Sequence, residues 1–183
     1  DLVVPNDDLV GPIDSSDEWI RQRTGIVTRA RASAEVGVKD LSLTAAKEAI
    51  ERSGIALETL DAIIVSTISF PYPTPSLATL LAGELGRPDV IAYDISAACA
   101  GFAYGIGQAD SLIRSGAARN VLVIGAEKLS AVTDYTDRTT CILTADGAGA
   151  MVLTASDQPG IAPVVWGTVP ELADAVTING EGP

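Results

Sequence analysis

Apolar and amphipathic segments alternate through the middle of the chain. Short apolar runs rich in β-branched side chains predict strands covered on both faces over residues 62–67, 90–95 and 120–126. Apolar side chains at helical spacing predict helices, each closed by a glycine, over residues 40–54, 76–86 and 102–116. Strands and helices of these lengths form βαβ units with parallel strands, so the pattern predicts an α/β fold.

The flanking and connecting segments are more polar. Residues 1–14 and 29–39 carry no strand pattern and are expected to be irregular. Residues 15–25 predict a short helix, because serines precede it, acids open it and a glycine follows it. Three prolines make residues 69–75 an extended loop rather than a helix or a central strand.

Two segments near the end of the chain also carry strand patterns. The glycine-rich residues 146–153 lead into a strand, whereas the glycines of a dinucleotide-binding fingerprint lead into a helix. This glycine-rich run therefore does not indicate a dinucleotide site. Residues 162–167 predict one more strand.

Cys99 lies in a run of small residues between the predicted strand 90–95 and the predicted helix 102–116. Small side chains allow a sharp turn and a close approach by a ligand. The N-terminus of a helix favours a thiolate over a thiol. Free cysteine is also a common packing residue, so these features alone support a structural role and a chemical role equally.

Composition narrows the possible partners. The net charge of -12 argues against nucleic acid, which binds clustered lysines and arginines. No apolar run is long enough to cross a bilayer and no secretory signal opens the chain, so we expect a soluble, cytoplasmic protein without a membrane partner. In that compartment Cys99 and Cys141 are expected to remain free thiols.

The chain contains no histidine. A Ser-His or Cys-His catalytic pair is therefore excluded within these residues, and so is a histidine-dependent metal site. We expect no metal centre. A reactive cysteine here would need its base from elsewhere.

An aromatic residue and two arginines suggest nucleotide binding. Trp19 and Arg23 are four residues apart in the predicted helix and share one face. An indole can stack on a base while a guanidinium holds phosphate, although from these two residues alone a half-buried tryptophan with an arginine packed across it is the more ordinary arrangement. Arg138 lies between Asp134 and Asp137 in sequence, and we expect it to pair with these neighbouring acids.

Four motifs, in order along the chain, carry a family resemblance. They are SSDEWIRQRTGI, YDISAACAGFAYG, TDRTT and ADGAGAMVL, at residues 15–26, 93–105, 136–140 and 145–153. The chain resembles the β-ketoacyl-acyl-carrier-protein synthase III enzymes of the thiolase superfamily over residues 3–167, and it looks closest to actinobacterial members.

The resemblance implies a thiolase-like α/β fold, with a mostly parallel mixed sheet flanked by helices. Residues 1–160 match the N-terminal βαβ half without its opening strand, and residues 161–183 match the truncated start of the C-terminal half. On this basis the chain is expected to be an incomplete form of the fold.

Site residues follow from the same resemblance. Cys99 matches the nucleophile that accepts an acyl group from acyl-CoA, and its backbone N–H matches part of an oxyanion hole. Trp19 and Arg138 match the pair that sandwiches the adenine of CoA. Arg23 and Thr24 match positions lining the CoA channel.

Departures from the family's pattern concern the acyl group and the second catalytic step. Thr144 stands where the family has an aromatic residue, and Thr74 lies in the loop that reaches toward the partner subunit's acyl pocket. Small residues at both positions would enlarge or reshape this pocket, so the identity of the acyl primer is not determined. The histidine and asparagine that serve condensation lie in the family's second half and are not matched here.

The implied function is decarboxylative Claisen condensation of an acyl-CoA primer with malonyl-acyl carrier protein, which initiates fatty acid synthesis. Acyl-CoA is then a substrate, and no cofactor is expected. The present residues alone are expected to be inactive in condensation. One alternative is a synthase III-like enzyme that primes polyketide synthesis or transfers a starter unit. Another is a non-catalytic ketosynthase-like partner subunit, although such partners typically lack the nucleophile that Cys99 matches.

Assembly is also implied by the resemblance. Family members are homodimers, and residues 120–126 are a candidate for strand pairing across the two-fold axis. The carrier protein is acidic, as this chain is, so its basic docking patch is expected outside these residues.

Overall fold

The computed structural model describes residues 2–11, 13–158, 160–173 and 177–178. Its strands are β1 (Leu2–Pro5), β2 (Thr28–Arg31), β3 (Ala62–Ser66), β4 (Ile91–Ile95), β5 (Asn120–Lys128) and β6 (Asp146–Thr154). Its α-helices are α1 (Asp17–Thr24), α2 (Val38–Ser53), α3 (Leu77–Glu84) and α4 (Gly101–Arg114). The predicted α/β fold is confirmed.

The main sheet has four strands in the order β4-β3-β5-β6. β3 is parallel to both β4 and β5, whereas β6 runs antiparallel to β5. All five residues of β3 are buried, because helices cover both faces of the sheet. Side chains of α2 and α3 pack on one face, and those of α4 pack on the other. The result is a three-layer arrangement with a mostly parallel mixed sheet.

Local sequence signals set the ends of the helices. The Ser16 hydroxyl accepts a hydrogen bond from Trp19 N at the start of α1, and Ser76 accepts one from Thr79 N at the start of α3. Glycines with positive φ follow the four helices, at residues 25, 54, 86 and 116. The predicted helices are confirmed, with small shifts in their bounds.

Two segments expected to be irregular contain strands. β1 lies within residues 1–14, and β2 overlaps the predicted loop 29–39; the two strands pair antiparallel. The sequence of β2 does not look like a strand, because the residue that points inward is Arg29 rather than an apolar residue. Its guanidinium donates to Asn6 Oδ1 at 2.8 Å and to Ile142 O at 3.1 Å. A paired guanidinium can be buried where an unpaired one could not.

Two strand predictions need correction. β4 packs on both faces, with Ala92 against one core cluster and Tyr93 and Ile95 against the other, but it is an edge strand and only partly buried, with Ile91 38% exposed. Residues 162–167 form no strand in the structure. There Trp166 packs edge-on against the Tyr104 ring of α4, so its apolar character serves packing rather than strand pairing.

Two glycines set how closely α4 approaches the sheet. A Cβ on Gly101 would lie 1.7 Å from Ser66 Oγ, and a Cβ on Gly105 would lie 2.7 Å from Val123 Cγ1. A side chain at either position collides with the Ser66 side chain of β3 or the Val123 side chain of β5, so that side chain or α4 has to move. These glycines therefore fix the height of α4, and of the turn before it, above the sheet.

Residues 174–176 and 179–183, which belong to the second predicted domain, lie outside the described residues. The boundary between residues 160 and 161 stays a prediction. Among the helices that the structure describes, none has the length and apolar character needed to cross a membrane.

Gly101→Ala is expected to destabilise the fold by about 1–3 kcal/mol, because the added methyl group collides with Ser66 Oγ. The matched control is Gly83→Ala in α3, where a Cβ meets no atom within 4 Å. We expect Gly83→Ala to stabilise the chain by about 0.5–1 kcal/mol, the ordinary helix preference for alanine. Urea unfolding of both variants measures the difference. Equal effects would show that α4 tolerates a larger distance from β3.

Candidate active site

Cys99 lies at a sharp junction between β4 and α4. β4 ends at Ile95, a single 3-10 turn spans Ala98–Ala100, and α4 begins at Gly101. Ala98 has a φ of 43°, a left-handed conformation that costs a non-glycine residue about 1–3 kcal/mol. The thiol of Cys99 is exposed. The elbow therefore presents a reachable thiol just before the N-terminus of a helix.

The second cysteine has the opposite environment. Cys141 is buried in a cluster with Ile13, Ile20 and Ile142. Burial raises the pKa of the Cys141 thiol, and the nearby Asp137 carboxylate raises it further. Both cysteines are free, as the sequence predicts, but Cys141 has the features of a packing residue.

Three of the predicted CoA-binding residues are brought together. The Arg23 guanidinium lies 4.1 Å from the centre of the Trp19 ring, and the Arg138 guanidinium lies 4.9 Å from it. Trp19 also packs against the apolar cluster around Ile20. The indole is thus both a packing residue and a platform with cations beside it, so the two interpretations of Trp19 describe one arrangement.

Arg138 does not pair with its neighbours in sequence. Its Nη1 donates to Asp14 O at 2.5 Å and lies 3.5 Å from the Asp14 carboxylate. The expected pairing of Arg138 with Asp134 and Asp137 is therefore wrong. Asp134 and Asp137 accept hydrogen bonds from nearby threonines, and these bonds hold the pKa of both carboxyls below the usual range. The two acids shape their own loop, and this leaves Arg138 to reach across to Trp19.

The three predicted threonines have different surroundings. Thr24 Oγ1 donates to Ile20 O at 2.8 Å and accepts from Ile26 N at 3.0 Å, so its hydroxyl serves the end of α1. Thr144 Oγ1 lies 3.0 Å from Thr133 Oγ1. Thr74 is exposed in the loop before α3. Their roles toward substrate stay predictions.

Two acids that the sequence reasoning passed over hold the loop between β3 and α3. Asp94 accepts from Leu77 N at 2.6 Å and from Ala78 N at 2.8 Å. Glu127 accepts from the backbone N–H groups of Ile68 and Ser69, each at 3.0 Å. The available signal was a charged residue inside or directly after an otherwise apolar strand.

Comparisons with known proteins show which proteins this chain is similar to. The sequence model of a family described as 3-oxoacyl-[acyl-carrier-protein] synthase III matches residues 93–170, which include the elbow. The β-ketoacyl-[acyl-carrier-protein] synthase III of Kocuria rhizophila is 57% identical over 177 residues, 97% of this chain and 50% of that protein. A synthase III of Streptomyces avermitilis is 46% identical, over 99% of this chain and 58% of that protein.

Solved structures of synthase III enzymes and related ketosynthases are similar to this chain as well. The 3-oxoacyl-[acyl-carrier-protein] synthase III of Aquifex aeolicus is 49% identical and superposes with a TM-score of 0.82, over 85% of this chain and 50% of that one. The priming β-ketosynthase of a polyketide pathway is 38% identical, with a TM-score of 0.85 over 88% of this chain and 48% of that one. The chain spans about half the length of the curated relatives it matches. By sequence and by fold, it belongs to the β-ketoacyl-[acyl-carrier-protein] synthase III family.

Proposed function

We propose that Cys99 accepts the acyl group in a β-ketoacyl-acyl-carrier-protein synthase III reaction. The observation that carries the proposal is the exposed thiol of Cys99 at the elbow before α4. The thiolate attacks the carbonyl carbon of an acyl-CoA thioester, a new carbon–sulfur bond forms, and CoA leaves as its thiolate and takes up a proton. Backbone N–H groups at the elbow, including that of Cys99, stabilise the developing oxyanion.

The second step, condensation, is proposed for a protein that also contains the histidine and asparagine that serve it in the family. The acyl group on Cys99 is transferred to the carbanion that malonyl-acyl carrier protein forms when it loses carbon dioxide. The product is a β-ketoacyl thioester on the carrier, and the thiol of Cys99 is regenerated. Acyl-CoA enters as a substrate, and no cofactor takes part.

The Trp19 ring, with Arg23 and Arg138 beside it, is the proposed site for the adenine of CoA. For adenine to stack between them, the Trp19 ring and the Arg138 guanidinium must be about 7 Å apart, twice an ordinary van der Waals contact. They are 4.9 Å apart, so Arg138 must move when CoA binds. Its ion pair with Asp14 is exposed and costs little to break. Arg23, already stacked on the ring, stays to meet phosphate.

A second candidate is priming of polyketide synthesis. It is favoured by the similarity to a priming β-ketosynthase, and it uses the same elbow. A starter-unit acyltransferase would acylate Cys99 but release no carbon dioxide, so a carbon dioxide assay on a complete protein separates it from a condensing enzyme. A non-catalytic partner subunit would keep Cys99 unacylated.

We propose a homodimer in the reducing cytoplasm, where Cys99 stays a thiol. The earlier candidate strand 120–126 cannot provide the contact, because β5 lies between β3 and β6 and both of its edges are used. β4 is the better candidate, since it forms one edge of the sheet. Ile91 N and Ile95 O bond toward β3 and its flanking residues, so the N–H of Ala92 faces the outer edge.

Incubation with acetyl-CoA is expected to add one acetyl group to the chain, on the peptide containing Cys99. Cys99→Ser abolishes the mass gain, whereas Cys141→Ser leaves it unchanged because Cys141 is buried. Peptide mass spectrometry measures both. A label on Cys141, or none on either cysteine, contradicts the proposed acyl transfer.

With acetyl-CoA and malonyl-acyl carrier protein together, the 183-residue chain is expected to release no carbon dioxide and form no acetoacetyl product. The chain has no histidine to assist the carbanion step. The Kocuria rhizophila relative serves as the positive control for the assay. Product formed by the chain alone would show that these residues suffice for condensation.

Ala92→Pro is expected to convert the dimer to a monomer, because proline removes the outward N–H of β4. Ala92→Ser keeps that N–H and should stay dimeric. Sedimentation velocity at matched concentrations distinguishes the two states. A monomeric native chain, or a dimeric Ala92→Pro variant, would contradict pairing through β4.

A further inference from the structure

A buried asparagine is bonded to both ends of α1. Asn6 lies in the turn that follows β1, and its side chain is buried. Its Nδ2 donates to the Asp17 carboxylate at 2.7 Å, in the first turn of α1, and to Ile26 O at 2.7 Å, just after the helix ends. Both N–H bonds of the amide are therefore used. One side chain thus holds the two ends of the helix that carries Trp19 and Arg23.

The carbonyl oxygen of the same amide extends the contact to the segment that carries Arg138. Asn6 Oδ1 accepts from Arg29 Nη2 at 2.8 Å, and this nitrogen also donates to Ile142 O at 3.1 Å. Backbone hydrogen bonds join residues 137–143 in consecutive turns, which include Arg138. Two buried side chains, called here the Asn6–Arg29 pair, therefore connect α1 to these turns.

The bonds of the Asn6–Arg29 pair are strong ones. Asn6 and Arg29 are 1% and 5% exposed, so water cannot readily replace either partner. The Asp17 carboxylate and the Arg29 guanidinium are charged, and charge-assisted hydrogen bonds are stronger than neutral ones. Hydrogen bonds from Arg21 and from Asn6 lower the pKa of the Asp17 carboxyl, so Asp17 stays a charged acceptor. The connection between α1 and residues 137–143 is therefore made before any ligand binds.

Apolar packing alone does not specify this connection. Trp19 packs against a cluster that contains Ile20 of α1 and Ile142 of the turns. Burial of apolar surface is non-directional, whereas a hydrogen bond fixes both a distance and a direction. The cluster therefore holds α1 and the turns together, and the Asn6–Arg29 pair sets where one lies relative to the other.

We propose that Asn6 and Arg29 are positioning residues for CoA, which hold the Trp19 ring and the backbone around Arg138 where adenine can stack between them. The inference rests on the proposed CoA site at Trp19. The turns stay in place while the Arg138 side chain makes room for adenine. Without the Asn6–Arg29 pair, α1 takes more than one position, and the apparent dissociation constant for CoA rises as the competent fraction falls.

The first test compares two acetyl donors for Cys99. Acetyl-CoA carries the nucleotide, whereas S-acetyl-N-acetylcysteamine has the same thioester without it. Asn6→Leu has a side chain of similar size that makes none of the Asn6 bonds. We expect it to raise the acetyl-CoA concentration that half-saturates acylation by about tenfold and to leave the maximal rate unchanged. The rate with the short thioester should stay native, whereas a general loss of folded chain lowers both rates equally.

The second test measures CoA binding by the quenching of Trp19 fluorescence. The chain has two tryptophans, so all variants carry Trp166→Phe. We expect CoA to quench the native site, and Asn6→Leu to raise the dissociation constant by about tenfold.

Asn120→Leu is the matched control. Asn120 Nδ2 donates to Thr59 O at 2.9 Å and to Thr59 Oγ1 at 3.1 Å, so this variant also loses the bonds of a side-chain amide. These bonds join the start of β5 to the turn before β3 and involve neither α1 nor residues 137–143. We expect native CoA affinity and native rates with both donors.

Asn6→Asp covers the case in which Asn6→Leu does not fold. Its carboxylate still accepts from the buried Arg29, but it cannot donate to Ile26 O and it repels the Asp17 carboxylate. We expect the same rise in the dissociation constant. A native value in Asn6→Asp, or an equal rise in Asn120→Leu, overturns the proposal. So does an equal loss of rate with both donors, or a native site that CoA does not quench.

Failure of the proposed acyl transfer is distinguishable from failure of this inference. A CoA affinity that depends on Asn6, in a chain whose Cys99 neither donor acylates, would overturn the acyl transfer and keep the positioning role. Acylation of Cys99 together with native CoA affinity in both Asn6 variants would do the opposite.

Discussion

The close approach of α4 to the sheet is the constraint on which the rest of the structure depends. At Gly101 and Gly105 the helix backbone lies against Ser66 and Val123, in space that a single methyl group would fill. With the helix held at this height, the turn that joins it to β4 is short, and Ala98 takes a left-handed conformation within it. Cys99 follows and is exposed. Strain at Ala98 is compensated by the packing of α4 on the fully buried β3, which explains how a costly turn persists.

Acidic side chains supply much of the polar connection around this core. Asp94, Glu127 and Asp61 each accept from two backbone N–H groups of a neighbouring segment. Asp146 does the same for Ala32 and Ser130, at 2.9 and 2.8 Å. Part of the chain's net charge of -12 therefore has an internal structural use. Because a carboxylate accepts several bonds in fixed directions, these acids fix the positions of the neighbouring segments relative to the sheet.

The proposed CoA site shows a different balance. Trp19 is anchored by apolar packing on one side and has two guanidinium groups beside its ring. Arg138 occupies the place proposed for adenine, held by an exposed ion pair to Asp14. A ligand that stacks on Trp19 exchanges one cation contact for a larger aromatic one. Trp19 is therefore held in place before CoA binds, whereas Arg138 is free to move. This combination suits a substrate that must enter and leave in every cycle.

The sequence alone determined the α/β class, the four helices with the glycines that follow them and the serine N-caps of α1 and α3, β3 and the elbow at Cys99, because these depend on local periodicity and on residues adjacent in the chain. The family motifs also selected Trp19, Arg23 and Arg138 before their contacts were visible. Tertiary structure decided the strand order, which makes β4 an edge and places β5 inside. It also decided the pairing of β1 with β2 and the partners of Arg138 and Asp94. Arg138 bonds Asp14, 124 residues away, and Asp94 bonds residues 16 and 17 positions back. Such hydrogen-bond partners depend on how the helices and strands pack together, and a pattern within a short window of sequence does not contain that information.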